Sequence, residues 1–270
     1  MGLPSEPVSN HRTGPTDGRY VMAGDVNTWF DTEGDGEPLL LLHGALSDSS
    51  SFAATKPALT PLFRVLTPER RGHGHTADLD GPITYDLMAE DTVAFIETVV
   101  GGAVHMVGHS DGANVALLVA LRRPDLVRKL VLISGNFHHD GLSSETFAVV
   151  ADLATMDLMA DIYGSVSPDG REHFPVVVDK ITRMIAEEPT LTIDDLTGVT
   201  ARTLVMAGDD DVISPTHTQA LYENIPDAEL AIVPGTSHTL ILDKPDLCNR
   251  IITDFLVNEP AATLMPMRRA

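Results

Sequence analysis

The sequence predicts an α/β protein: a mostly parallel sheet with helices on both faces. Three observations carry this. Short apolar runs alternate with helical stretches of 10 to 15 residues along most of the chain. The run Leu39-Leu40-Leu41-Leu42 has no polar alternation, as a strand buried on both faces requires. The segment from Phe137 to Gly198 breaks the alternation with helical patterning only, so it reads as an insertion between two strands.

The elements follow in order. Residues 1–18 are rich in Pro, Ser, Gly and Thr with no apolar stretch, and read as a disordered lead rather than a signal peptide. Tyr20 to Phe30 carries two strand-like runs around Gly24-Asp25, a hairpin signal. The Leu39 run ends in His43-Gly44-Ala45. Phe63 to Leu66 is a strand that leads into the loop Glu69 to His75. Thr84 to Val100 has helical periodicity, with Met88, Phe95 and Ile96 set against Asp91. Val104 to Val107 is a strand, and Ala113 to Arg123 a helix stopped by Pro124. Leu130 to Ile133 is the next strand. The insertion holds helices over Ser144 to Ile162 and Arg171 to Ala186, parted by Ser165 to Gly170. Strands over Thr203 to Met206 and Leu230 to Val233 alternate with helices over Pro215 to Glu223 and Pro245 to Val257. The expected division is therefore a core over 19–136 and 199–258, a helical cap over 137–198, and a flexible tail over 259–270.

Charge narrows the partners. The chain has 39 acidic and 18 basic residues, a formal net charge of −21. Such a field repels phosphate backbones and anionic membranes, which argues against both as partners. No run of 18 apolar residues is present, so no membrane span is expected. A single cysteine, Cys248, excludes an intrachain disulfide and a cysteine metal site. His73-x-His75 and His138-His139-Asp140 lack a clear third ligand, so no metal or cofactor is expected. The default is a cytoplasmic monomer or homodimer acting on a small molecule.

Gly108-His109-Ser110-Asp111-Gly112 carries the chemistry. The five-residue pattern alone is weak. Its setting, directly after a strand and opening a helix, is that of a nucleophile elbow. A Cβ at either glycine would crowd the neighbouring elements, and the helix N-terminus favours negative charge developing beside Ser110. A serine hydroxyl needs a base. His238 follows the last strand and can reach the sheet's C-terminal edge, whereas His43, His73, His75 and His109 sit in motif loops as structural or pocket-lining groups. The base needs an acid to fix its tautomer. In Gly208-Asp209-Asp210-Asp211 the third aspartate directly precedes Val212-Ile213-Ser214-Pro215 and is favoured over Asp210. The candidate catalytic set is Ser110, Asp211 and His238. The N–H groups of Asp111 and Ala45, with Leu46 as the alternative to Ala45, would form the oxyanion hole. His43, Gly44, His109 and Phe137 would meet substrate, and the cap's Phe147, Met156, Met159, Tyr163, Phe174 and Met184 would line an apolar acyl pocket. The Asp111 carboxylate either attracts a cationic substrate group or turns toward solvent or structural partners.

With these pieces placed, the sequence resembles the α/β-hydrolase superfamily. The matching segments are L-L-L-L-H-G-A at 39–45, E-R-R-G-H-G-H-T at 69–76, V-G-H-S-D-G-A at 107–113, L-V-M-A-G-D-D-D-V-I at 204–213 and G-T-S-H at 235–238. The resemblance implies eight strands and a helical cap after the sixth. Glu69 departs from the aspartate many relatives carry before the R-x-G-H-G loop. The superfamily includes esterases, lactonases, thioesterases, carbon–carbon bond hydrolases and cofactor-free haloperoxidases. Its epoxide hydrolases and haloalkane dehalogenases use an aspartate at the elbow, so Ser110 argues against them. The expected activity is hydrolysis of small or medium, partly apolar carboxylic esters through an acyl-enzyme. Carbon–carbon hydrolysis, peracid chemistry and a non-enzymatic ligand receptor are the alternatives.

Overall fold

The computed structural model describes residues 18–142, 153–260, 262 and 264–266. Eight strands form one sheet: β1 (Arg19–Ala23), β2 (Val26–Glu33), β3 (Glu37–Leu42), β4 (Phe63–Pro68), β5 (Val104–His109), β6 (Val127–Ile133), β7 (Arg202–Asp210) and β8 (Ala228–Ser237). Their spatial order is β1-β2-β4-β3-β5-β6-β7-β8. β2 pairs antiparallel with β1 and β4, and every other pairing is parallel.

The leucine run explains how the layers form. Side chains alternate across a strand. Leu40 and Leu42 enter one buried cluster with Met106, Leu130 and Leu132. Leu39 and Leu41 enter a second, on the opposite face, with Val107, Val131 and Ile133. On the first face lie α2 (Tyr85–Phe95) and α3 (Asp111–Arg122). Every residue of α3 from Asp111 to Ala120 is buried, which explains its small Ala, Gly and Val side chains. The second face is covered by α9 (Pro245–Val257), through Cys248, Ile252, Phe255 and Leu256. Each leucine so buried contributes about 1.5–3 kcal/mol of transfer free energy.

Between β6 and β7 lie α4 (Leu153–Gly164), α5 (Phe174–Glu187) and α6 (Ile193–Leu196). Among the described residues these helices form no separate core. Tyr163, Phe174, Val177, Ile181 and Met184 join the same cluster as Leu117 of α3. Other α-helices among the described residues are α1 (Lys56–Leu59), α7 (Pro215–Asn224) and α8 (Leu240–Asp243).

The differences from expectation are local. The helix expected from Ala113 starts at Asp111, because Ser110 is its N-cap residue. The helix expected over Thr84 to Val100 is capped by the Thr84 side chain, which accepts from the Leu87 N–H. It closes with a π-helical turn over Ile96–Val100, and Gly101 stops it at φ +72°. α1, α6 and α8 have four residues each, too short to show a period in the sequence. Residues 1–17 of the expected lead over 1–18, the first part of the helix from Ser144, Phe147 and the end of the tail lie outside the described residues.

Candidate active site

Parallel register gathers the site at one edge. Leu42 pairs with Gly108, His109 with Ile133, Ile133 with Met206, and Gly208 with Val233. The C-terminal ends of β3, β5, β6, β7 and β8 are thereby aligned, and the loops that follow them emerge together. In parallel α/β sheets this edge is where ligands bind.

Ser110 sits on the turn between β5 and α3 at φ 53° and ψ −123°, a conformation costing about 1–3 kcal/mol for a non-glycine residue. Packing holds it there. Its N–H donates to the Ile133 carbonyl at 2.8 Å, and its carbonyl accepts from Ala113 at 2.8 Å and Asn114 at 3.2 Å. A Cβ on Gly108 would strike the Gly112 backbone, and one on Gly112 would strike the Leu42 carbonyl. A Cβ on Gly44 would lie 3.3 Å from Ser110 Cβ, a tight contact, so the loop after β3 packs closely on this turn.

A chain of hydrogen bonds leads away from the hydroxyl. Ser110 Oγ lies 2.9 Å from His238 Nε2, and His238 Nδ1 lies 2.7 Å from Asp211 Oδ1. The Asp211 side chain is 2% exposed and that of His238 is 24% exposed. Burial pushes the Asp211 carboxyl up, but its bonds to His238, Ser134 and the Ile213 N–H outweigh this and hold it below the usual carboxylate range. Asp209 and Asp210 are exposed, and Asp209 instead accepts from the Thr236 N–H at 3.1 Å.

Two supports sit behind this chain. Ser134 Oγ donates to Asp211 Oδ2 at 2.5 Å from a backbone at φ 53°. Nothing in the sequence singles out Ser134; its role arises from the β6–β7 pairing. His109 Nε2 lies 2.9 Å from the His238 carbonyl, which can only accept. Burial pushes the His109 pKa down to about 4, so the ring is neutral and braces His238.

Among the described hydrogen bonds, neither the Asp111 nor the Ala45 N–H has an acceptor. Arg70 shapes the loop bearing Ala45. Its Nη2 donates to the His43 carbonyl at 2.6 Å and the Gly44 carbonyl at 2.9 Å. The His43 ring, 1% exposed, accepts from the Arg70 N–H at 3.3 Å and faces the Gly44 carbonyl. Glu69, fully buried, ties this loop down by accepting from the Ser49 hydroxyl at 2.8 Å and the His75 N–H at 2.5 Å. The Asp111 carboxyl is 4% exposed and takes the Tyr85 hydroxyl at 2.7 Å. Burial raises its pKa, against the pull of Arg70. That carboxylate is thus a structural group under α3, the second of the two roles the sequence leaves open.

Beside Ala45 and Leu46 opens a cavity of about 260 Å³. Its floor includes Ser47, Asp48, Ser50 and the Gly72-His73-Gly74 turn, and its wall Met159, Ile162, Tyr163, Val166, Phe174 and Val177. Three of the expected pocket residues, Met159, Tyr163 and Phe174, lie in this wall, whereas Met184 is packed in the core. None of the four residues expected against substrate lines it. His43 is turned to Arg70, Gly44 touches Ser110, and His109 braces His238. Phe137 stacks on His217 with centroids 4.0 Å apart. His138, His139 and Asp140 do cluster, with candidate ligand atoms within 4.8 Å of one another, but on the surface. His73 and His75 do not pair: one faces the Arg71 carbonyl, the other Glu69.

Fold and site together define a serine-elbow α/β protein. Residues 39–251 match the alpha/beta hydrolase family, and the chain belongs to it. A protein of Azorhizobium caulinodans named "Putative carbamate hydrolase RutD" is 25% identical over 87% of this chain and 97% of its own length. The structure of the meta-cleavage product hydrolase CumD from Pseudomonas fluorescens IP01 superposes with TM-score 0.73 at 21% identity, covering 88% of this chain and 97% of that one. A serine hydrolase of carbazole degradation, CarC, gives TM-score 0.73 at 25% identity over 88% of this chain and 98% of its own. No described helix is long and apolar enough to cross a membrane.

Proposed function

We propose that the chain hydrolyses carboxylic esters of small or medium, partly apolar substrates through an acyl-enzyme on Ser110. One observation carries this: Ser110 Oγ, His238 and Asp211 form an unbroken hydrogen-bonded chain with spacings of 2.9 and 2.7 Å. In this reading His238 Nε2 takes the Ser110 proton as Oγ attacks the carbonyl carbon. Asp211 keeps the Nδ1 proton in place and stabilises the imidazolium. The unpaired N–H groups of Asp111 and Ala45 receive the oxyanion. His238 then protonates the leaving oxygen, and water, deprotonated by the same ring, releases the acid. The cavity of about 260 Å³, walled by α4 and α5, would hold the apolar part, and those helices act as the cap.

The same attack serves a carbamate, the bond in RutD's name, so a carbamate belongs beside the ester in the assay. Ser110→Ala is expected to lower kcat on p-nitrophenyl esters by at least about 10⁴-fold with an unchanged circular dichroism spectrum. Residual turnover within tenfold of wild type would sink the assignment.

A further inference from the structure

The cavity beside the oxyanion loop is apolar on its helical wall but not neutral on its floor. Among its lining residues Asp48 is the only one with a charged side chain. His73, the other titratable lining group apart from a tyrosine, is pushed down to about 3 by burial and by Arg70, and is neutral. Asp48 is half-buried and forms no ion pair among the described residues. One of its oxygens, Oδ1, caps the short turn after it by accepting from the Ser50 N–H at 2.8 Å.

A second carboxylate, Asp169, stands behind the wall. The hydroxyl of Tyr163, a wall residue, donates to Asp169 Oδ2 at 3.2 Å. Asp169 also takes the Asp78 N–H at 2.7 Å. Asp78 itself lies behind Gly72. Only Asp78 has a cationic lysine partner, Lys180 at 2.6 Å, with His173 at 2.9 Å. Asp48 and Asp169 thus remain uncompensated by lysine or arginine among the described ion pairs. None of the lining residues is a lysine or arginine, so a carboxylate entering this cavity finds no cation on its surface, while an ammonium finds one acid on the floor.

We infer that Asp48 makes this cavity a subsite for a cationic substrate group: the preferred ester carries an amine or other cation several carbons from its carbonyl, and anionic chains are rejected. The inference rests on the ester-hydrolase reading above, because it places the chain of the substrate in this cavity. It moves the cation-attracting carboxylate from Asp111, sealed under α3, to Asp48. A charge a few ångströms from a partly solvated carboxylate gains on the order of 1 kcal/mol, about a fivefold to tenfold preference at low salt.

The test uses three fluorophosphonates of equal chain length, ending in an ammonium, a methyl and a carboxylate group. The readout is the rate of Ser110 labelling, taken as the ratio to the neutral probe within each protein, so that any general loss cancels. Wild type is expected to react about fivefold to tenfold faster with the cationic probe than with the neutral one, and slowest with the anionic one. Asp48→Asn retains an oxygen for the Ser50 N–H and is expected to bring the cationic ratio to within about twofold of unity, as high salt does for wild type. A cationic ratio that is the same in Asp48→Asn as in wild type would overturn the inference and leave Asp48 as a cap alone, with the ester reading intact. Failure of wild type to react with any of the three would overturn both.

Discussion

The elbow edge of the sheet and the helical wall facing it are built on different terms. At the elbow, positions are set by backbone. Ser110 is held by hydrogen bonds to β6 and α3, and Gly108 and Gly112 leave no room for a Cβ. At the wall, positions are set by side-chain volume: Tyr163, Phe174 and Val177 pack into the common core, while Ile162 stays exposed. The elbow therefore tolerates little change. At the wall, a change of side-chain volume changes the shape of the cavity.

The largest expected effect probes the elbow side beyond Ser110. Asp211 and Asp111 are both carboxylates at this edge, with opposite surroundings. Asp211 is held ionised by His238, Ser134 and the Ile213 N–H despite its burial. Asp111 is pushed up by burial and serves Tyr85. Asp211→Asn would present an amide where His238 Nδ1 needs an acceptor, and kcat should fall about 10³- to 10⁴-fold with KM nearly constant. Asp211→Asn keeping more than about a tenth of wild-type kcat in steady-state assays would show that His238 is oriented by something else.

The two regions also differ in how far the sequence reveals them. The elbow is readable because its constraint is local: a strand, Ser110 as the turn and a helix are contiguous from Val104 to Arg122. Asp211 and His238 were readable because each follows a strand and so must emerge at the same edge. Ser134 was not, since an ordinary Ile-Ser-Gly sequence reveals neither its positive φ nor the β7 neighbour that brings Asp211 to it. The sequence places His43 in a motif loop and Phe137 at the start of the insertion, and both are expected against substrate. Tertiary partners, Arg70 and His217, turn both side chains away. Asp48 carries no motif at all. Its place on the cavity floor depends on how α4 and α5 fold back, which periodicity does not encode.

A smaller effect tests the wall. Val166 is partly buried and lines the cavity at the end of α4. Val166→Phe adds volume there without emptying the core. If the wall measures chain length, the ratio of kcat/KM for an octanoyl ester to that for an acetyl ester should fall about tenfold, the loss of on the order of 1.4 kcal/mol of chain binding. An unchanged ratio across a series of p-nitrophenyl esters would place the acyl chain elsewhere.

The smallest effect concerns the joint between the regions. His217, on α7 just past Asp211, stacks on Phe137 at 4.0 Å and accepts the Phe137 N–H at 3.1 Å, which requires a bare Nε2. Burial, with a further push from His138, lowers its pKa to about 4 from an ordinary value of 6.5. A base depressed in the folded state binds its proton more readily when unfolded. Its contribution to stability is therefore complete above about pH 6.5 and is lost as the pH falls toward about 4. Around pH 5, unfolding should take up about 0.9 proton at this site, the difference between a nearly full unfolded and a nearly empty folded imidazole. His43, His73 and His109 shift in the same direction, so the whole-protein uptake is larger. His217→Gln, which preserves an acceptor for Phe137, should lower the calorimetric uptake by about that one increment and flatten the fall of Tm between about pH 6.5 and 4. Equal uptake in both proteins would mean that His217 is protonated in the folded state, and that the joint between the Asp211 loop and the helical insertion is held by a cation rather than by a neutral ring.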